Sequence, residues 1–269
     1  MKPIIAVCQM MPVSDLNKGK QKYREMTASA AEKGADIVVF PEMWVCPYIG
    51  ANFEKYKEPQ GGETYNFLKS LAEEFGIYLF TGSMPEEDGE NIYNTCYVFD
   101  RNGREIGKHR KVHLFDVDIK DGISFTESYF LSPGNKVTLV DTEFGKIGLG
   151  ICFDIRFSEF SMKMSREGAK IIVLPAAFNM TTGPAHWELS VRARAMDNQV
   201  YFVGAQVARD MDCKFHAWGH SLIVDPFGEI IAETDEKESI IFGEIDLDYV
   251  DKIREELPIL KSRRPELYK

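Results

Sequence analysis

Two stretches of the chain repeat one another. Gly34-Ala-Asp-Ile-Val-Val-Phe-Pro-Glu42 returns as Gly168-Ala-Lys-Ile-Ile-Val-Leu-Pro-Ala176, 134 residues later. Each is a continuous apolar run entered by a glycine and closed by a proline, the pattern of a strand covered on both faces. Gly76-Ile-Tyr-Leu-Phe-Thr-Gly82 is matched in the same way by Gln199-Val-Tyr-Phe-Val-Gly204. The turn at Asp100-Arg-Asn-Gly103, where Asn-Gly signals a hairpin, has its counterpart at Asp225-Pro-Phe-Gly228. Helical runs over 18–33 and 64–75, each stopped by a glycine, alternate with these strands. The pattern predicts an α/β chain of two similar βαβ-plus-hairpin halves, with two sheets packed together and helices outside. No linker or low-complexity stretch interrupts it, so residues 1–269 are expected to form one domain.

Composition narrows the function classes. The net charge of −10 and pI near 5.1 argue against nucleic acid as a partner, which would require positive charge. The one basic cluster, Lys108-His-Arg-Lys111, is short, and Lys108 within it reads as part of a solvated face. No apolar run approaches the roughly 18 residues of a membrane helix. The beginning Met1-Lys-Pro-Ile-Ile-Ala-Val-Cys-Gln is too short an apolar stretch for a signal peptide. Five widely spaced cysteines, with no Cys-x-x-Cys and no Cys/His ligand spacing, suggest neither disulfide framework nor metal site. A reduced cytoplasmic protein is expected.

The halves differ where chemistry would sit. Glu42 answers to Ala176, and Cys152 falls roughly opposite Gln9. Around Cys152 runs Lys146-Ile-Gly-Leu-Gly-Ile-Cys-Phe-Asp-Ile-Arg-Phe157, in which Ile147, Leu149 and Ile151 alternate with Gly148 and Gly150. That is a strand with one bare face, open to close approach by another element. It delivers Cys152 to the carboxyl end of a strand just before a helix, the usual position of an α/β active site. Position alone leaves a buried structural cysteine equally open.

Phe40-Pro-Glu42-Met, His109-Arg-Lys111-Val-His-Leu-Phe and Gly150-Ile-Cys152-Phe-Asp-Ile-Arg-Phe, in that order, resemble the Glu–Lys–Cys signature of the nitrilase (carbon–nitrogen hydrolase) superfamily, and the resemblance runs from Ile4 to Tyr268. It implies a four-layer α-β-β-α sandwich and a Cys152 nucleophile. A thiol with an ordinary pKa near 8.5 needs a base or a positive charge to react. The resemblance gives Glu42 the part of that base, with burial raising its pKa towards neutrality. Lys111 and the backbone N–H of Phe153 would hold the oxyanion, donors of a kind that contribute about 3–4 kcal/mol. Glu127, in Ser124-Phe-Thr-Glu127-Ser, matches the family's second glutamate, which positions Lys111 and the substrate. No metal or organic cofactor is implied.

Four stretches resemble the ω-amidase branch, whose substrates are 2-oxoglutaramate and 2-oxosuccinamate: Leu114-Phe-Asp-Val-Asp118, Gly122-Ile-Ser-Phe-Thr-Glu-Ser128, Phe178-Asn-Met-Thr-Thr-Gly-Pro-Ala-His-Trp-Glu188 and Ala217-Trp-Gly-His220. Deaminated-glutathione amidases share part of the third, and another amidase or a nitrilase on the same triad stays open. Arg156 suits a substrate carboxylate through two hydrogen bonds, or else caps or pairs within the scaffold. Tyr48 and Thr182 are pocket residues by the same resemblance. The chain departs from the family at Phe153, commonly tyrosine, and at Ser158, commonly proline, where serine would serve as a helix cap. His186 and Trp187 read as packing at the start of a helix over 184–196, and His113 as structural. Cys8 and Cys96 read as core, and Cys46 as a residue of the pocket entrance. The segment from Leu257 to Tyr268 has apolar residues without an obvious partner, and family members pack such tails near a subunit interface, so a homodimer or larger assembly is expected. A catalytically silent binding or scaffold protein is the alternative of another class; an intact Glu42, Lys111 and Cys152 argues against it.

Overall fold

The computed structural model describes residues 2–12 and 14–267. The chain runs β1 (Ile4–Gln9), α1 (Leu16–Glu32), β2 (Ile37–Val39), α2 (Gly50–Tyr56), β3 (Glu58–Pro59), α3 (Glu63–Phe75), β4 (Tyr78–Phe80), β5 (Met84–Asp88), β6 (Asn91–Phe99) and β7 (Glu105–Arg110). It continues through β8 (Asp116–Asp118), β9 (Ser124–Thr126), β10 (Thr138–Thr142), β11 (Gly145–Leu149), α4 (Ser158–Arg166), β12 (Ile171–Ala176), α5 (Gly183–Asn198), β13 (Tyr201–Gln206), β14 (Leu222–Val224), β15 (Ile230–Glu233), β16 (Ser239–Glu244) and α6 (Leu247–Glu256).

The repeat in the sequence is a repeat in the topology. The first sheet contains the order β16-β1-β2-β4-β6 and the second β10-β11-β12-β13-β14. In each, three parallel strands are flanked on both sides by antiparallel ones. Alternation along β1 shows the layering: Ile5 and Val7 enter the core shared with the second sheet, whereas Ala6 and Cys8 face the cluster built with Tyr23 and Met26 of α1 and Leu68 and Leu71 of α3. On the far side Phe160 and Met164 of α4 and Trp187 and Val191 of α5 cover the second sheet. The result is the α-β-β-α sandwich expected.

Local chemistry sets the boundaries. Asp15 caps α1 by accepting from the N–H groups of Asn17 and Lys18. Gly76, at φ +61°, ends α3 in the left-handed conformation. The bare face of β11 is filled by α4: a Cβ on Gly148 would stand 2.5 Å from Met164 Sδ. Ser158 does not cap α4; it is the first helical residue after Phe157, and its hydroxyl bonds the Glu159 carboxylate. The weakly patterned segment after Arg110 carries a short antiparallel ribbon, β8 with β9, followed by the 3-10 turn Glu127–Tyr129.

The basic cluster is also not a solvated face. Lys108 and Arg110 both reach the buried Glu86 (2.9 and 2.8 Å), Arg110 also pairs with Asp88, and its guanidinium lies over the Tyr93 ring. Those bonds hold the Glu86 carboxyl at about 2 against the cost of its burial.

Candidate active site

The site lies where β2, β7, the β8–β9 ribbon and β11 all end. Glu42 follows Pro41 at the end of β2 and is fully buried. Lys111 is the first residue past β7; its N–H donates to Asn94 O (2.8 Å), so β6 fixes its backbone, and its side chain is also fully buried. Glu127 opens the 3-10 turn after β9 and is equally enclosed. Lys111 Nζ reaches Glu42 Oε1 at 2.9 Å and Glu127 Oε2 at 2.9 Å, so one ammonium sits between two carboxylates. Tyr48 donates its hydroxyl to Glu127 Oε1 (2.8 Å), and Asn94 Nδ2 donates to Glu42 Oε1 (2.7 Å). The other Glu127 oxygen takes the Phe115 N–H.

The ionisation of the cluster follows from this geometry. Burial raises the Glu42 carboxyl above its ordinary range; the Lys111 charge opposes the shift and the Glu127 charge adds to it. For Lys111 burial acts against the charge, but Glu127 and Glu42 more than offset it, and the ammonium is held above its usual value. Burial and the negative charge of Glu42 push the Cys152 thiol well up, with Lys111 pulling the other way. A thiol in such surroundings stays protonated, and Glu42 is the carboxyl whose charge acts on it most strongly. The Glu42 Oε2 is buried without a hydrogen-bond partner among the described residues.

Cys152 begins the 3-10 turn Cys152–Arg156 directly after β11, with φ +45°. A side chain in that region is uncommon and strained. Phe153 is the second residue of the turn, so its N–H is among the first donors that a short helix leaves without an internal acceptor. A narrow cleft opens over the thiol, walled by Tyr48, Phe115, Phe153, Phe178 and Phe215 and lined also by Arg156, Asn179 and Thr182. The structure thus brings Glu42, Lys111, Glu127 and Cys152 to one place and sets Phe153, Arg156, Tyr48 and Thr182 around one cleft. Arg156 is half-buried, its guanidinium lies over the Phe178 ring (5.1 Å), and among the described residues it has no carboxylate partner.

Other expectations divide. Trp187 is buried and donates to His220 O, but His186 is exposed and packs against no core. His113 is structural, stacked on Phe157 at 3.6 Å. Cys46 is not among the residues lining the cleft itself; with Glu42, Asp210 and Cys213 it borders an adjoining small cavity that shares Tyr48 and Phe215 with the cleft. Gln9, the counterpart of Cys152, spends its side chain on Asp235 O, Lys237 O and Ser221. Sequence reasoning missed Asn94, whose signal was a polar residue inside a buried stretch of β6, and Phe215, which arrives from a loop with no pattern of its own. Among the described residues no group of three or more His, Cys, Asp or Glu side chains is placed to share a metal ion. None of the described helices is long and apolar enough to cross a membrane.

Known proteins resemble the chain over most of its length. Residues 4–255 match the carbon-nitrogen hydrolase family. The chain is 50% identical over 254 residues to an omega-amidase of Xenopus tropicalis, covering 94% of this chain and 91% of that one. It is 46% identical to an omega-amidase of Homo sapiens over 89% of this chain and 87% of that protein. Among solved structures, Nit3 of Saccharomyces cerevisiae, a member of branch 10 of the nitrilase superfamily, superposes with a TM-score of 0.90 at 40% identity, covering 98% of this chain and 97% of that one.

Proposed function

The chain belongs to the carbon–nitrogen hydrolase family and is a hydrolase acting on amides, and from that premise we propose that it is an ω-amidase, removing the terminal amide of a short carboxylate-bearing substrate of the 2-oxoglutaramate or 2-oxosuccinamate type. The relatives named omega-amidase support this reading. The observation that carries it is Arg156: a half-buried cation without a carboxylate partner among the described residues, in a small aromatic cleft beside the thiol. An unpaired buried charge is costly, and a bound carboxylate supplies its partner.

The residues act in a definite order. Glu42 takes the Cys152 proton as sulfur attacks the amide carbonyl, and Lys111 with the Phe153 N–H holds the negative oxygen. Glu42 returns the proton to the leaving nitrogen; ammonia departs and a Cys152 thioester remains. Glu42 then deprotonates a water, the hydroxide displaces the sulfur, and the carboxylic acid leaves with the thiol restored. Glu127 and Tyr48 keep Lys111 charged and aimed throughout.

Ammonia release from 2-oxoglutaramate, deaminated glutathione and a simple nitrile tests the reading, with Arg156→Leu beside wild type. The expected result is preference for 2-oxoglutaramate and a KM raised about 100-fold in Arg156→Leu, the loss of a charge-assisted pair worth about 3 kcal/mol. Equal KM values in wild type and variant would remove Arg156 from the substrate site, and preference for another compound would overturn the ω-amidase reading. Cytoplasmic residence and homodimerisation belong to the same proposal. Five free thiols support the first. Exposed Leu189 and Met196 of α5 beside Phe227, with Leu257 and Leu267 of the tail, support the second; Tyr268 lies outside the described residues. Light scattering at twice the 30.6 kDa chain mass, or a higher multiple of it, is the expected reading, and a monomer would refute it.

A further inference from the structure

We propose that Asp154 is a positioning residue for the reaction, one buried carboxylate that ties the peptide leading into Cys152 to the chain on both sides of Lys111 and so sets nucleophile against cation. The inference rests on the amide-hydrolysis reading above, in which those two residues act on the substrate.

Asp154 lies two residues past Cys152 and is 1% exposed. Its Oδ2 accepts from the Ile151 N–H (2.9 Å) and from His109 Nε2 (3.1 Å). Its Oδ1 accepts from the His113 N–H (3.0 Å) and from His113 Nδ1 (2.8 Å). A carboxylate offers about four lone-pair sites, so this one is saturated. Ile151 is the residue before the nucleophile; His109 and His113 stand two before and two after Lys111. His109 is itself fixed from the other side, where Nδ1 meets Thr138 Oγ1 of β10 at 3.0 Å. Lys111 therefore sits at the middle of a chain segment pinned at both ends by the group that also pins the Cys152 turn.

The backbone shows why such a pin is needed. Cys152 holds φ +45°, a conformation that a side chain adopts only when its surroundings over-determine it. The Ile151 N–H bond to Asp154 is part of that over-determination; without it a buried donor is orphaned and the turn relaxes. Asp154 is not among the residues lining the cleft, so it acts through its neighbours rather than on the substrate.

Two variants test this in the full-length enzyme with 2-oxoglutaramate. In Asp154→Asn an amide donor replaces one acceptor oxygen, and the Ile151–His109 pair or the His113 pair meets a donor. The expected kcat is about 100-fold lower, the scale of a displacement of order 1 Å at a reacting group, with KM within about threefold. Iodoacetamide alkylation of Cys152, followed by mass, should slow about tenfold with it. A folded Asp154→Asn, judged by a cooperative thermal transition, with kcat within about threefold of wild type overturns the proposal. Should that variant not fold, His113→Phe decides: it keeps the stack on Phe157, sits at the partly exposed end of the network, and removes one bond. It should lower kcat about fivefold at unchanged KM, and kcat and alkylation rate equal to wild type overturn the proposal. Cys152→Ala runs beside both. Activity surviving in that control defeats the reading of Cys152 as the nucleophile on which this proposal rests, whereas an inactive control with an active Asp154→Asn defeats only the role given to Asp154.

Discussion

Replacing Lys111 by methionine removes a charge from between two carboxylates while nearly keeping the volume. The ammonium contacts Glu42 and Glu127 at 2.9 Å each, and all three side chains are fully buried. Breaking a buried pair from one side costs about 3–5 kcal/mol, because the remaining charge has no partner. Methionine leaves little cavity, so packing adds little to that figure. The cost also carries a pH dependence whose sign is fixed. Burial and the Glu127 charge already raise the Glu42 carboxyl, and Lys111 is the main group opposing the rise. Without Lys111 the two carboxylates face each other, and the folded chain keeps a proton that the unfolded chain gives up near pH 4.3. Native protein then binds more protons than unfolded protein above that pH, so stability falls as pH rises. Urea unfolding of Lys111→Met, followed by tryptophan fluorescence, should show a deficit of about 4 kcal/mol at pH 8. At pH 5 the deficit should shrink by about 1.4 kcal/mol or more, one unit of retained proton affinity. The loss of the oxyanion donor should lower kcat by about 10²–10³ in the same protein. A deficit below about 1 kcal/mol at pH 8, or one equal at both pH values, would refute the view that this lysine is a buried counter-ion to two carboxylates.

Three smaller perturbations probe the surroundings. Tyr48→Phe removes the donor to Glu127 (2.8 Å) and should lower kcat/KM about tenfold, the worth of a bond to a charged group; unchanged steady-state kinetics would contradict it. Glu86 holds Lys108 and Arg110 and sits at about 2, below its unfolded value of about 4.3. Its contribution is therefore complete above that value and is lost as pH falls towards 2, so wild type should lose about 2 kcal/mol over that window that Glu86→Gln never had, measured by urea unfolding at pH 6 and pH 3. Gly148→Ala sets a Cβ 2.5 Å from Met164 Sδ and should destabilise by about 1–3 kcal/mol, lowering the thermal midpoint; an unchanged midpoint would show that α4 can shift freely.

Much of this site was legible because its parts sit at the ends of strongly patterned strands. The apolar run ending in Pro41-Glu42 and the Gly148/Gly150 strand ending at Cys152 each announce both a strand and what it delivers. The bare face of the second strand was correctly read as a seat for another element, which proved to be α4. The pairing of β1 with β16, Ile4 opposite Glu244, joins residues 240 apart and leaves no local trace. The β8–β9 ribbon escaped because three-residue strands are too short to show a period. Lys108 was misread for a related reason: its partner Glu86 lies on β5, and a charge cluster in sequence says nothing of what the neighbouring strand presents. Asn94, Asp154 and His109 are polar groups whose importance arises only from burial together, which a single sequence does not display.

The account turns on a covalent bond between Cys152 and the acyl group of the substrate. The most direct measurement is intact and peptide mass spectrometry of the enzyme quenched in acid within its first turnovers on 2-oxoglutaramate, with Cys152→Ala as the companion. Wild type should carry the mass of the acyl group, that of the substrate less ammonia, on the peptide containing Cys152, and the alanine variant should carry none and release no ammonia. An acyl mass on any other residue, or ammonia release from Cys152→Ala, would contradict the mechanism at its first step.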